Sequence, residues 1–149
     1  MGPFQTNMHA FNCLPLFDEV RTLVVSRQHP LIHELLDDPM SVLSEVPLVA
    51  SYIDDPDERP AMQRIRDRFS LVWEVRSITL RMELLAAGYG VGYVSDLVLA
   101  KEPLSAELAV VEGVPFARIG KSAGLFYRKD SSLSSGAAKF VDLCQQRWG

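Results

Sequence analysis

Residues 77–95 read SITLRMELLAAGYGVGYVS. Ser77 is a residue type that caps helices, because its hydroxyl accepts a hydrogen bond from a free N–H in the first turn. Residues 78–87 then run as a helix, and Gly88 stands where a C′ glycine closes one. Residues 91–94, VGYV, read as a short strand. The order is helix, glycines, strand. A dinucleotide-binding fingerprint has the opposite order, with glycines that follow a strand and open a helix. Gly88, Gly90 and Gly92 are therefore a helix stop with a tight turn, and a nucleotide loop is excluded.

The same alternation extends in both directions. Upstream, residues 71–75 (LVWEV) form a strand. Before them residues 59–69 carry Met62, Ile65 and Phe69 at helical spacing. Acids (Asp54, Asp55, Asp57, Glu58) precede that helix and Arg64, Arg66 and Arg68 crowd its end, which suits the helix dipole. Residues 47–52 (PLVASY) and 21–26 (RTLVVS) read as strands buried on both faces. His29-Pro30-Leu31 breaks the first of these. Asp38-Pro39 fits an N-cap followed by a first-turn proline, opening a short helix over 40–45. Downstream, residues 97–101 make a helical turn or two, and residues 108–111 and 122–128 read as strands. Residues 135–148 form a last helix with Ala137, Val141, Cys144 and Trp148 as its buried face. Strands alternating with helices predict an α/β fold, with a mostly parallel sheet and helices on both faces.

The chain of 149 residues is sized for one domain. Its 48% hydrophobic and 23% charged residues exclude long disorder. No apolar run approaches the roughly 20 residues needed to span a bilayer. The opening residues, MGPFQTNMHAF, have neither the basic nor the apolar region of a signal peptide. Fifteen basic against nineteen acidic side chains give a net charge of −4, which argues against a nucleic-acid surface. The two cysteines, Cys13 and Cys144, cannot build a disulfide framework or a four-ligand zinc site. A reducing cytoplasm is the expected location.

In sheets of this kind small ligands bind beyond the carboxyl ends of the strands, often at helix N-termini. That rule selects Ser51, Tyr52 and Ile53 at the end of the second strand. It also selects Ser77, Ile78 and Thr79 at a helix start, and Tyr93, Val94 and Ser95 at the end of the fourth strand. Other constellations carry less. The acids at 54–58 lack the spacing of a calcium loop and read as solvated residues before a helix. His29 and His33 are split by Pro30 and lack a metalloprotease pattern, so His29 is expected in a surface loop. No cysteine or serine sits in an activating motif, so no catalytic residue is assigned. Arg76 and Arg81 lie near the ligand edge, where they would meet an anion or pair with Glu74 or Glu83.

Five stretches resemble the effector-binding domain of LysR-type transcriptional regulators, in that family's order. They are LPLFDEVRTLVVSRQHPL at 14–31, SEVPLVASY at 44–52, Glu74-Val75 followed by LLAAGYGVG at 84–92, GLFYRKD at 124–130, and the helix at 134–148. The resemblance implies a three-layer αβα fold like the type II periplasmic binding proteins, with an effector held between two lobes. Residues 25–107 would form a complete second lobe, and residues 1–24 and 108–149 a remnant of the first. The nine residues chosen at the strand ends fall on the cleft wall of that second lobe. Ser95 departs from the family's usual proline.

The family's winged helix-turn-helix, its linker helix and the start of the first lobe have no counterpart in the sequence. The chain is accordingly expected to be a fragment or the product of a misplaced start codon, prone to self-association. The implied function is non-enzymatic sensing of a small molecule, anionic by preference, with no cofactor or metal and no membrane contact. DNA would be reached only through the absent domain. The alternatives are a solute-binding protein of a transport system, which shares the fold, and a small α/β enzyme.

Overall fold

The computed structural model describes residues 8–51 and 59–148. Tyr52, Ile53 and the acids at 54–58 lie outside the described residues. The elements in order are β1 (Phe11–Ser26), α1 (Ile32–Asp37), β2 (Pro47–Ala50), α2 (Arg59–Arg66) and β3 (Leu71–Glu74). There follow α3 (Ile78–Ala86), β4 (Val91–Ser95), α4 (Asp96–Leu99), β5 (Leu108–Val110), β6 (Arg118–Arg128) and α5 (Ser135–Trp148). No helix of the described residues is long and apolar enough to cross a membrane.

The sheet runs β3-β2-β4-β1-β5, and β6 also pairs with β1. It is mixed, not mostly parallel. β2 is parallel to β3 and β4, as the intervening helices α2 and α3 require. β1 is antiparallel to β4, β5 and β6. The apolar run at 21–26 read as a parallel strand because it is buried on both faces. That burial comes from its central place in the sheet, which says nothing of direction.

Alternate residues of the central strands feed two cores. Leu23, Val25, Leu48 and Val91 pack on one face with Leu35, Leu43 and Phe69. Val24, Val49 and Val94 pack on the other with Met82 and Leu85 of α3. Helices thus cover both faces, and the three-layer αβα arrangement holds.

β1 is longer than residues 21–26. Its first ten residues pair with β6 alone, and the register shifts between Pro15 and Phe17. A bulge is one of the few places where a strand tolerates a proline, which has no N–H for the ladder. α1 was not foreseen, since six residues are too few to establish a helical period. The helix expected over 40–45 is instead two 3₁₀ turns, Pro39–Ser41 and Leu43–Glu45, and the Asp38 side chain makes no capping bond. In α5 Cys144 is buried, but Trp148 is 45% exposed and does not complete the expected apolar face. Ser77 does cap α3, its Oγ accepting from the Leu80 N–H at 3.3 Å. Gly88 has φ of 81°, the left-handed conformation that closes a helix and that glycine adopts without strain.

His29 is not a surface residue; it is 7% exposed. Its Nδ1 accepts from the Leu31 N–H at 3.0 Å, which satisfies a free donor at the start of α1. Burial holds its pKa below the ordinary 6.5. The neutral ring therefore belongs to the folded state, and the unfolded chain takes up a proton first as pH falls. His29 contributes its full stability above pH 6.5, and that contribution is lost as pH falls through the lower folded value. Urea midpoints measured from pH 7.5 to 5.5 are expected to fall, and to fall less in His29→Gln. Equal slopes in the two proteins would refute this role.

Candidate ligand-binding edge

Three parallel strands end along one edge of the sheet. Ser51 follows β2, Glu74 ends β3 and Ser95 ends β4. The end of α2 is tied to the same edge by Arg66, whose Nη1 donates to Glu74 Oε1 at 2.5 Å and whose Nη2 donates to the Ser51 carbonyl at 3.0 Å. Arg66 Nε is buried without a partner among the described residues.

The edge carries a cavity of about 40 Å³ lined by Leu48, Ala50, Ser51, Met62, Arg66 and Tyr93, and closed by Arg21 of β1 with Ile119 and Lys121 of β6. A water molecule takes about 30 Å³ of liquid, so this space is one wall of a site and not a complete enclosure. Its floor is aliphatic and its rim is cationic. Tyr93 is held in place by its hydroxyl, which donates to the Phe116 carbonyl at 2.6 Å. Burial pushes the Tyr93 phenol pKa up, so it remains a neutral donor.

Of the nine residues chosen from sequence, Ser51 and Tyr93 line this cavity. Ser77, Ile78 and Thr79 are exposed at the start of α3, on the same edge. Ser95 is half-buried, and its Oγ accepts from the Leu97 N–H at 3.2 Å. Next to it Thr22 Oγ1 donates to Asp96 Oδ1 at 2.9 Å. Val94 is 1% exposed and packs in the core with Met82 and Leu85, so its side chain does not face the edge. Sequence reasoning did not find Arg21, Arg66 or Lys121. Arg66 read as a dipole-neutralising helix end. Arg21 and Lys121 are brought together by the pairing of β1 with β6, which no local pattern announces.

The family model for the LysR substrate binding domain matches residues 1–149. The chain belongs to the LysR substrate-binding-domain family. No curated protein matches the sequence. Among solved structures, the regulatory domain of CcmR from Synechocystis PCC6803, in complex with 2-PG, is similar with a TM-score of 0.73 and 19% identity, over 97% of this chain and 70% of that one. The effector binding domain of QuiR, in complex with shikimate, gives 0.67 and 16% over 97% and 68%. Full-length HypT from Salmonella typhimurium, a hypochlorite-specific LysR-type regulator, gives 0.68 and 16% over 97% and 50%. The resemblance read from the five sequence stretches is thus borne out, and with it the α/β fold of LysR substrate-binding domains. The LysR domain is a regulatory, effector-sensing module, which sets aside the transport-protein reading.

Proposed function

We propose that this chain senses a small polar molecule at the edge formed by the ends of β2 and β4 and the start of α3, and that it controls transcription through DNA-binding parts of a longer regulator. The observation that carries this reading is the coincidence of two independent lines. The family match runs the length of the chain, and the strand-end rule meets a cavity holding Ser51 and Tyr93. Ser51, Tyr52, Ile53, Ser77, Ile78, Thr79, Tyr93 and Ser95 are the proposed contacts, with Val94 contributing backbone alone. The N–H groups of Ile78 and Thr79 lie in the first turn of α3, where the helix itself offers them no acceptor.

In this reading residues 25–107 act as one lobe, and residues 1–24 and 108–149 belong to the other. The first half of β1, paired only with β6, supports that division. Ligand would shift a pre-existing equilibrium between lobe arrangements by binding one of them better. No catalysis is involved, and the site of action is the cytoplasm. Complexes of similar domains with 2-PG and shikimate support a ligand of that size. Self-association of the chain belongs to the same reading, supported by Phe140, Leu143 and Trp148 standing exposed on α5.

The test is a small-molecule screen read by backbone amide shifts, with light scattering on the same samples. A hit is expected to move the amides of Ser51, Ser77, Ile78, Thr79, Tyr93 and Ser95. Hits that instead map to α5, or a screen in which nothing of any charge binds, would refute the reading.

A further inference from the structure

Two arginines at the ligand edge lack the counter-ions that the sequence offers them. Arg81 has Glu74 and Glu83 as its nearest acids in sequence. Glu74 is taken by Arg66 at 2.5 Å. Glu83 is two residues away on the same helix, and side chains at that spacing do not face each other. None of the ion pairs among the described residues includes Arg81, and its Nε is buried with no hydrogen-bond partner among them.

The charge that Arg81 does feel is a like one. Its pKa is lowered first by burial and then by the positive charge of Arg21. Arg21 in turn has only a loose pair with Glu19, at 3.6 Å. A half-buried guanidinium beside a second guanidinium, with no acid closing the pair, costs the folded state free energy. Such strain is found where a ligand supplies the missing charge.

Arg21 connects this pair to the cavity, since it is one of the cavity's lining residues. Its neighbours there are the aliphatic Leu48, Ala50 and Met62, with Ser51 and Tyr93. An oxyanion head held by the two arginines would place its carbon body against that floor. Guanidinium forks match the two oxygens of a carboxylate or phosphate, and hydrogen bonds to charged groups are the stronger class.

We propose, building on the reading of this edge as the sensing site, that Arg81 and Arg21 together are its specificity-determining residues and select a small organic anion with a carboxylate or phosphate head and a short aliphatic body.

The experiment compares the wild-type chain with Arg81→Gln, Arg81→Lys and, as a remote control, Arg147→Gln. Melting temperature is followed against inorganic phosphate, succinate and the neutral polyol meso-erythritol. Phosphate stabilises proteins generally by exclusion from their surfaces, so the difference between variants is the readout. Succinate and phosphate are expected to raise the melting temperature saturably in wild type and Arg147→Gln. Half-saturation should rise about tenfold or more in Arg81→Gln and less in Arg81→Lys, which keeps the charge. Without ligand, Arg81→Gln is expected to melt no lower than wild type, because it removes a repulsion.

Equal shifts in wild type and Arg81→Gln, or no saturable shift with either anion, would overturn the assignment. If a neutral compound moves the amides of Ser77, Tyr93 and Ser95 equally in wild type and Arg81→Gln, anion selection fails while sensing at this edge stands.

Discussion

Replacing Leu23 with alanine is expected to lower the unfolding free energy by about 3 kcal/mol. Leu23 is fully buried and lies on β1, the strand to which β4, β5 and β6 all pair. Its backbone is fixed on both sides, donating to the Ala117 carbonyl and accepting from the Val111 N–H at 2.8 and 2.9 Å. The main chain therefore has little freedom to collapse into the space left by the lost methyls. That places the substitution among those where a cavity term adds to the lost transfer free energy. Urea unfolding monitored by Trp73 and Trp148 fluorescence measures it. Phe140→Ala serves as the contrast, since Phe140 is 56% exposed and its loss should fall within about 0.5 kcal/mol. Similar values for the two would mean that the core is not organised around β1.

Gly90→Ala is the second large effect, and it acts by crowding. A Cβ built on Gly90 would lie 2.3 Å from the carbonyl oxygen of Pro47 and 3.1 Å from its carbonyl carbon. Both are backbone atoms at the start of β2, so no side chain can swing aside. Relief requires β2 and β4 to part where Leu48 pairs with Val91. Overpacking of this kind costs about 1–3 kcal/mol, and the backbone obstacle puts this case near the upper figure. For a chain of this size each kcal/mol lowers the melting temperature by about 2–4 °C. A drop of roughly 6–12 °C in calorimetry is thus expected. A change below about 2 °C would show that the strands absorb the methyl freely.

Much of the fold was legible between residues 47 and 95, because the signals there are local. Ser77 caps, Gly88 stops, and short β-branched runs alternate with helical spacing. The parallel β2-β3 and β2-β4 pairs follow from that order. What was not legible depends on distant partners. The first half of β1 hides behind Pro15, Asp18 and Glu19, and becomes a strand only because β6 pairs with it. His29 reads as a loop residue, and its capping of α1 depends on a helix too short to have a period. The same division runs through the ligand edge. Ser51 and Tyr93 follow from the strand-end rule, and Ser77 from its cap. Arg21 and Lys121 come from strands remote in sequence, and Arg81 is singled out only by the absence of an acid, which a sequence rich in nearby glutamates conceals.

The pairing of β1 has a consequence for how the chain is made. The organising strand is synthesised first, and every partner it has in the sheet comes later, as far along as Arg128 opposite Phe11. Until β4 emerges from the ribosome the apolar run Leu23–Val24–Val25 has no neighbour to hydrogen-bond, and Phe11 to Val20 waits longer still. Contacts so distant in sequence must bear their loop-closure entropy before they return any stabilisation, which slows folding. During that interval the nascent chain exposes a bare, β-branched strand, the kind of segment that aggregates and that holdase chaperones bind. Translation rate and chaperone supply, more than native stability, therefore set how much of this protein reaches its folded state.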